Sequence, residues 1–265
     1  LIRWPLTGTP WTEADLHAAT DPVLASGQLT MGPRVKEFET EFARLVGAKH
    51  AVMVNSGSSA NLLMVATMRV KGGGPKKNLV PGAEAIVPAI AWATTYAPLA
   101  QHGYKLRVVD VDQRTLNVDM DQVRNTLNEN THVIVGVSIL GTPAPLDDLF
   151  NFAGGNGLWF LEDNCESLGA TINGKQAGTF GHMGTFSTFF AHHLSTIEGG
   201  MLVTDDPGLA DIARCLRAHG WSRDLAADSD LLKGLMDAPF DAAYQFLLPG
   251  YNLRPTEIQA ALGLQ

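Results

Sequence analysis

Only two cysteines, Cys165 and Cys215, occur in 265 residues. Neither stands in a Cys-x-x-Cys spacing, which leaves no basis for a zinc ribbon or a disulfide framework and suits a reducing, cytosolic context. Long apolar runs are missing as well. None reaches the ~20 residues that a membrane-spanning helix requires. The first residues, LIRWPLTGTPWTEADL, lack the apolar core and small-residue cleavage site of a signal peptide. Basic residues are few: 19 Lys and Arg face 27 Asp and Glu, a formal charge of -8. That balance argues against nucleic acid as the main partner, while leaving room for a local basic site that takes an anion. No internal repeat is present.

What the chain does have is apolar bulk. Hydrophobic residues make up 45% and charged residues 17%, enough for a sizeable core and too apolar for disorder. The patterns alternate. GPRVKEFETEFARLVG sets Val35, Phe38, Phe42 and Leu45 at helical steps of three and four. HAVMVNSG follows as a short buried strand, SSANLLMVATMRV as a helix, AEAIVPAI as a strand and ATTYAPLAQHG as a helix stopped by Gly103. The rhythm continues with KLRVVDVD, DMDQVRNTLN, HVIVGVSIL, LDDLFNFAG and LWFLEDN. Short strands in ATING, MGTFSTF and GGMLVTD precede helices in PGLADIARCLRAHG and TEIQAALGLQ. Strand-helix alternation of this kind predicts an α/β fold with a mostly parallel sheet covered on both faces. KGGGPKKNLVPG, residues 71–82, is expected as a surface loop, and residues 224–246 as an irregular excursion. QAALGLQ closes the sequence in a helical pattern without a stop signal, so a continuation is expected.

Ligands of such sheets sit beyond the carboxyl ends of the strands. Four stretches fall there. NSGSSAN, Asn55 to Asn61, joins a strand to a helix with small residues, and its amides suit a phosphate as well as an ordinary turn. Asp163 ends a buried strand, where it either holds a protonated ring nitrogen or caps a turn. Trp92 is either a platform for a flat ring or a core residue. STFFAHHLSTIEGG carries Ser187, a hydroxyl for a phosphate, and His192 and His193, candidate bases of near-neutral pKa. A metal is disfavoured there, because adjacent histidines point different ways and no third ligand is spaced to help.

Taken together and in order, SGSSAN, Trp92 before ATT, EDN, GTFS, EGGM and GYNLRPTEIQAALG resemble the sugar aminotransferases of the DegT/DnrJ/EryC1/StrS group over essentially all 265 residues. The resemblance implies the fold-type I architecture of pyridoxal phosphate (PLP) enzymes, with a small C-terminal domain that this sequence lacks. It implies residues 1–30 as an N-terminal segment, 31–250 as the large PLP-binding α/β domain and 251–265 as the start of a helix toward that missing domain. It also implies roles: Gly57 and Ser58 at the cofactor phosphate, Trp92 stacked on the ring, Asp163 at the pyridinium nitrogen and Ser187 at the phosphate. Asn252 would reach the phosphate of a neighbouring subunit, hence a homodimer with shared sites.

One position departs from that pattern. Family aminotransferases carry a lysine in an S-x-x-x-x-K-N run, the covalent anchor of the cofactor. Here His192 stands in its place, His193 takes the asparagine position, and no lysine lies between Lys175 and Lys233. Imidazole cannot make that anchor but can move protons. The substitution resembles the 3-dehydratases of deoxysugar synthesis, which use the aminated cofactor, PMP, to remove the 3-hydroxyl of a nucleotide-linked 4-keto-6-deoxyhexose. His192 is then the base, and GDP-4-keto-6-deoxymannose the leading substrate. Related cluster-containing enzymes carry Cys-x-Cys just after GW-x-RD; here Leu225 and Ala227 fill those positions. Cys165 alone cannot hold an iron–sulfur cluster, so glutamate, not a reductase, is expected to regenerate PMP. Rival readings are an aminotransferase, a CDP-sugar 3-dehydrase and a catalytically silent relative. Ser138 stands where many relatives carry histidine. Arg223 and Arg254 are read either as diphosphate contacts or as ordinary surface or interface arginines.

Overall fold

A computed structural model describes residue 8 and residues 11–71, 82–233 and 244–265. The tip of the expected surface loop and the middle of the 224–246 excursion fall outside the described residues. Around the latter, a 3-10 turn at Asp230–Leu232 is followed by extended backbone near residue 246.

Seven strands form one sheet in the order β1-β9-β8-β5-β4-β2-β3. They are β1 (His50–Val54), β2 (Glu84–Pro88), β3 (Lys105–Val109), β4 (Thr131–Val137), β5 (Trp159–Asp163), β8 (Met183–Ser187) and β9 (Gly200–Thr204). A small hairpin, β6 (Thr171–Ile172) and β7 (Lys175–Gln176), stands outside it. From β8 to β3 every pairing is parallel, and β9 alone runs against its neighbours β8 and β1. Every residue of β4 and β5 is buried, as expected of strands covered on both faces. β3, at the edge, buries only Val109.

Helices cover both faces, and period-two alternation along the strands decides which side chain meets which. Val133, Val135 and Val137 join the core beneath α3 (Gly57–Lys71), α4 (Ala93–Gln101) and α7 (Pro207–Arg217). Ile134 and Phe160 face the other way, under α5 (Met120–Thr126) and α6 (Leu146–Asn156). Met53, Phe186 and Met201 meet Phe38 and Phe42 of α2 (Pro33–Val46) on that same side. α1 (Glu13–Ser26), within the stretch read only as an N-terminal segment, is a helix opened by a Thr12–Asp15 capping box. α8 (Glu257–Leu264) packs on α1 and α2. Its first residue, the buried Glu257, accepts hydrogen bonds from the amides of Gly32, Arg34 and Val35. A carboxylate thereby satisfies the orphan donors at the start of α2.

Edge strand β1 leaves Met53 with an outward amide and carbonyl. The buried Glu39–Arg217 pair takes both: Glu39 accepts from the Met53 amide at 2.8 Å, and Arg217 donates to the Met53 carbonyl at 2.7 Å. Removing one member of such a pair costs ~3–5 kcal/mol, because its partner is left charged and buried.

Candidate active site

The parallel strands β2, β4, β5 and β8 all end on one edge of the sheet, and β5, in the middle, ends in Asp163. Successive residues of a strand point to opposite faces, and the two carboxylates of β5 show it. Glu162 turns into the loop before β8 and accepts from the amides of Gly178, Phe180 and Gly181. Complete burial nevertheless pushes its pKa up to about 7. Asp163 turns the other way, and its surroundings are polar. Its Oδ2 accepts from Asn61 Nδ2 at 2.8 Å and from Thr95 Oγ1 at 2.6 Å. Asn61 is held in turn by the Thr185 hydroxyl, which donates to its Oδ1 at 2.6 Å. Oδ1 of Asp163 accepts from the more distant Cys165 amide, at 3.2 Å, and a carboxylate oxygen has room for a further donor. Asp163 thus both caps a turn and presents a fixed carboxylate, so the two readings of this residue are compatible.

A cradle forms where β1 gives way to α3. The helix begins at Gly57, and amides at a helix start have no partner within the helix. The chain passes so close to β8 that a Cβ on Gly57 would lie 2.6 Å from Ser187 Cβ and 3.0 Å from Cys165 Sγ. Across the cradle, a Cβ on Gly200 would stand 2.3 Å from the Ser56 carbonyl oxygen. Ser187 is buried, and its Oγ accepts from the Phe189 amide at 3.3 Å, leaving its own proton free to donate. Ser58 shares a 2.8 Å hydrogen bond with Thr94. That contact draws the start of α4 to the cradle, and with it Trp92, the residue that caps α4. Trp92 is 69% exposed, which removes the core reading and leaves an aromatic face open at the rim.

His192 lies in the loop between β8 and β9. The ends of the loop are tied: Thr188 and Thr196 share a buried 2.6 Å hydroxyl contact, and Gln259 of α8 donates to the Glu198 carbonyl at 2.6 Å. His192 is half-buried with its ring edge-on to Phe189 at 6.0 Å, whereas His193 is exposed to solvent. Burial lowers the pKa of His192; Glu166 opposes that shift, His193 adds to it and Asp163 opposes it. Glu166 itself accepts from the Leu140 amide at 2.9 Å, where Leu140 has a positive φ of 51°. Cys165 is half-buried beside Asp163, and desolvation first and that carboxylate second raise its thiol pKa well above the ordinary value.

Gly57, Ser58, Asp163, Ser187 and His192 therefore converge on one edge of the sheet, with Trp92 beside them. Asn252 stands at the margin. Its backbone bridges Ala218, its Oδ1 accepts from Arg254 Nε at 3.0 Å, and the next residue, Leu253, accepts from the Asn55 amide. Asn252 is exposed, and no side-chain hydrogen bond joins it to the cradle among the described residues. Asn61, Thr94, Thr95, Thr185 and Glu166 belong to the site and were not legible as such. Asn61, Thr94, Thr95 and Thr185 did lie within the quoted motifs SGSSAN, ATT and GTFS, without a role of their own.

The helix-start amides of the cradle have the chemistry to suit a phosphate, Asp163 holds a fixed carboxylate at the same sheet edge, and Trp92 is exposed at the start of α4. GDP-4-keto-6-deoxy-D-mannose 3-dehydratase of Yersinia pseudotuberculosis is 45% identical over all 265 residues of this chain, which match 66% of that protein. A solved mutant of GDP-4-keto-6-deoxymannose 3-dehydratase with bound GDP-perosamine superposes with a TM-score of 0.92 at 45% identity, covering 99% of this chain and 67% of that one. Another structure of GDP-4-keto-6-deoxymannose 3-dehydratase, with a trapped PLP–glutamate geminal diamine, gives 0.89 at 43% identity, covering 99% and 67%. The chain spans about two thirds of the length of these relatives, and it shares the PLP-dependent aminotransferase fold of its structural neighbours. With residues 11–265 matching the family model, this chain belongs to the DegT/DnrJ/EryC1/StrS aminotransferase family.

Proposed function

We propose that this chain forms the cofactor-binding part of a PMP-dependent 3-dehydratase that removes the C3 hydroxyl of GDP-4-keto-6-deoxymannose. The observation that supports the reading is the meeting of Gly57, Ser58, Asp163 and Ser187 at one sheet edge, with His192 where the family's aminotransferases carry their anchoring lysine. When bound, PMP supplies a primary amine for the C4 ketone and a conjugated ring that takes up electrons.

The chain's own groups do the rest. Amides at Gly57 and Ser58 and the Ser187 hydroxyl hold the phosphate. Asp163, fixed through Oδ2 by Asn61 and Thr95, accepts the ring N–H through Oδ1 and keeps that nitrogen protonated. Trp92 covers one ring face. With the group bound, His192 would be the residue that moves a proton at its C4′ carbon, and the group would supply the electron sink that departure of the 3-hydroxyl needs. Its lowered pKa keeps it neutral, and so able to act as a base, at pH 7. Arg254 occupies the Asn252 oxygen, which leaves the Asn252 amide group to donate to the phosphate of a neighbouring subunit in a homodimer.

Glutamate regenerates PMP in this reading, and no iron–sulfur cluster takes part. Cys165 is a protonated thiol packed under Gly57, and Cys215 is buried in α7. Residues 31–250 form the large domain, 251–265 lead toward a small C-terminal one, and the enzyme works in the cytosol. The test is to incubate the full-length protein with PMP, glutamate and GDP-4-keto-6-deoxymannose. Loss of the 3-hydroxyl together with 2-oxoglutarate is the expected result; a 4-amino sugar alone refutes the reading.

A further inference from the structure

The last residue of β4, Val137, pairs with Asp163 of β5, so the turn that follows, residues 138–144, stands beside the central carboxylate of the site. The turn is held along its length. The Ser138 amide donates to the Asp163 carbonyl at 3.2 Å, and the Ser138 hydroxyl accepts from the Ala144 amide at 3.1 Å. Buried Asn117 accepts from the Ile139 amide and donates to the carbonyls of Thr142 and Pro143. Glu166 accepts from the Leu140 amide at 2.9 Å.

Leu140 is out of character in that frame. Its φ of 51° and ψ of 31° lie in the left-handed region, where a leucine Cβ is crowded and glycine or asparagine is the usual occupant. Core packing does not offset the strain. Leu140 is 74% exposed, and no large apolar side chain among the described residues is more so, whereas its neighbour Ile139 is buried. A strained backbone enforced by its surroundings, carrying an apolar side chain with little to pack on, points to a contact with a bound molecule.

Its place says which part of that molecule. Glu166 accepts from the Leu140 amide and is the strongest charge acting on His192. The reacting carbons of a substrate must come within reach of His192, so the group that meets Leu140 belongs to the sugar. A 6-deoxyhexose offers one wholly apolar group, the methyl on C5, next to the C4 ketone. We propose that Leu140 is a specificity residue that packs on this methyl and disfavours a sugar with a hydroxymethyl group in its place. The proposal rests on the reading of the chain as an enzyme of 4-keto-6-deoxyhexoses. An added hydroxyl set against leucine loses its water partners, and apolar walls of this kind reject such an analogue by ~10–100-fold.

The test is calorimetric titration of GDP-6-deoxymannose and GDP-mannose into the PLP-loaded full-length protein and its Leu140→Ala, Leu140→Gly and Leu140→Asn variants. Neither sugar has a 4-ketone, so neither turns over. Wild type should prefer the 6-deoxy sugar by about tenfold or more, and the preference should shrink to about twofold or less in Leu140→Gly and Leu140→Asn, with Leu140→Ala between. The loss should come from weaker binding of the 6-deoxy sugar. Unfolding temperatures of the Gly and Asn variants should equal or exceed that of wild type, since both residues accept a positive φ. A leucine retained for the fold would lower them, which overturns the proposal. So does a wild-type protein that binds neither sugar or shows no preference, and so does an unchanged preference in folded variants. A dimer that dissociates in sedimentation while the preference stays intact has the same force and makes a second copy the partner of Leu140. A Leu140-dependent preference in a protein that fails to dehydrate GDP-4-keto-6-deoxymannose counts against the reaction and leaves this contact standing.

Discussion

The end of β5 and the loop after β8 meet in one site but are built on opposite plans. Asp163 is buried and fixed from three directions, by Asn61, Thr95 and the Cys165 amide, and Asn61 is itself held by Thr185. His192 rides on a loop tied at its ends by Thr188, Thr196 and Gln259, with its ring touched by Phe189 and half open to solvent. A carboxylate that must meet one ring atom gains from rigidity, since each hydrogen bond removes an alternative orientation. A base that carries a proton between atoms gains from a setting that tolerates small movement. Under the proposed reading, this difference would let the chemistry change at His192 while the Asp163 end of the fold stays as it is.

Three experiments act on this contrast. The largest effect is expected from His192→Asn: dehydration should fall ~10²–10⁴-fold, the usual worth of a positioned acid–base group. Stability in urea should stay within ~0.5 kcal/mol of wild type, because few contacts depend on the imidazole. A large loss of stability would show that the loop is as tightly built as β5. Thr95→Val should behave in the reverse sense. It removes a 2.6 Å bond to a buried carboxylate and should cost ~1.5–3 kcal/mol of unfolding free energy. Its turnover should drop by less than that of His192→Asn.

The smallest effect concerns pH. As the proposed base, His192 works only when neutral, so activity should be lost as pH falls through its pKa. Burial holds that pKa below the ordinary imidazole value, which extends the active plateau toward acid. The Glu166 carboxylate is the strongest influence in the other direction. Glu166→Gln keeps an oxygen for the Leu140 amide and removes the charge. The acid limb of the kcat profile, and the His192 ring titration followed by NMR, should therefore both move to lower pH. An unmoved or raised limb would show that Glu166 serves only the turn at Leu140.

Much of this was legible because strand–turn–helix units announce themselves locally. The apolar runs at 159–163 and 183–187 mark β5 and β8, and the small residues of NSGSSAN mark a turn that cannot be filled. The polar net around Asp163 was not legible, since Asn61, Thr95 and Thr185 meet it from three separate units and each is an ordinary polar residue in its own window. α1 escaped for another reason. It buries only Ala19 and Val23 and contains Pro22, so its apolar stripe is faint. The Thr12–Asp15 pair was its one clear signal. Trp92 shows a third kind of limit: sequence cannot separate a buried tryptophan from an open one, and only the packing around α4 decides.

The lone antiparallel strand also bears on the order in which the site comes into being. β1 touches the sheet only through β9, and Gly200 is the residue that lets β9 lie against the Ser56 carbonyl. On the ribosome, the phosphate turn at Ser56 and Gly57 is made early and then has no sheet to join until Gly200 to Thr204 have emerged. The His192 loop is synthesised just before that strand, so the cradle closes and the base arrives in a single late event. A nascent chain should acquire affinity for the cofactor abruptly once β9 has emerged, and a growing chain halted before β9 should have none.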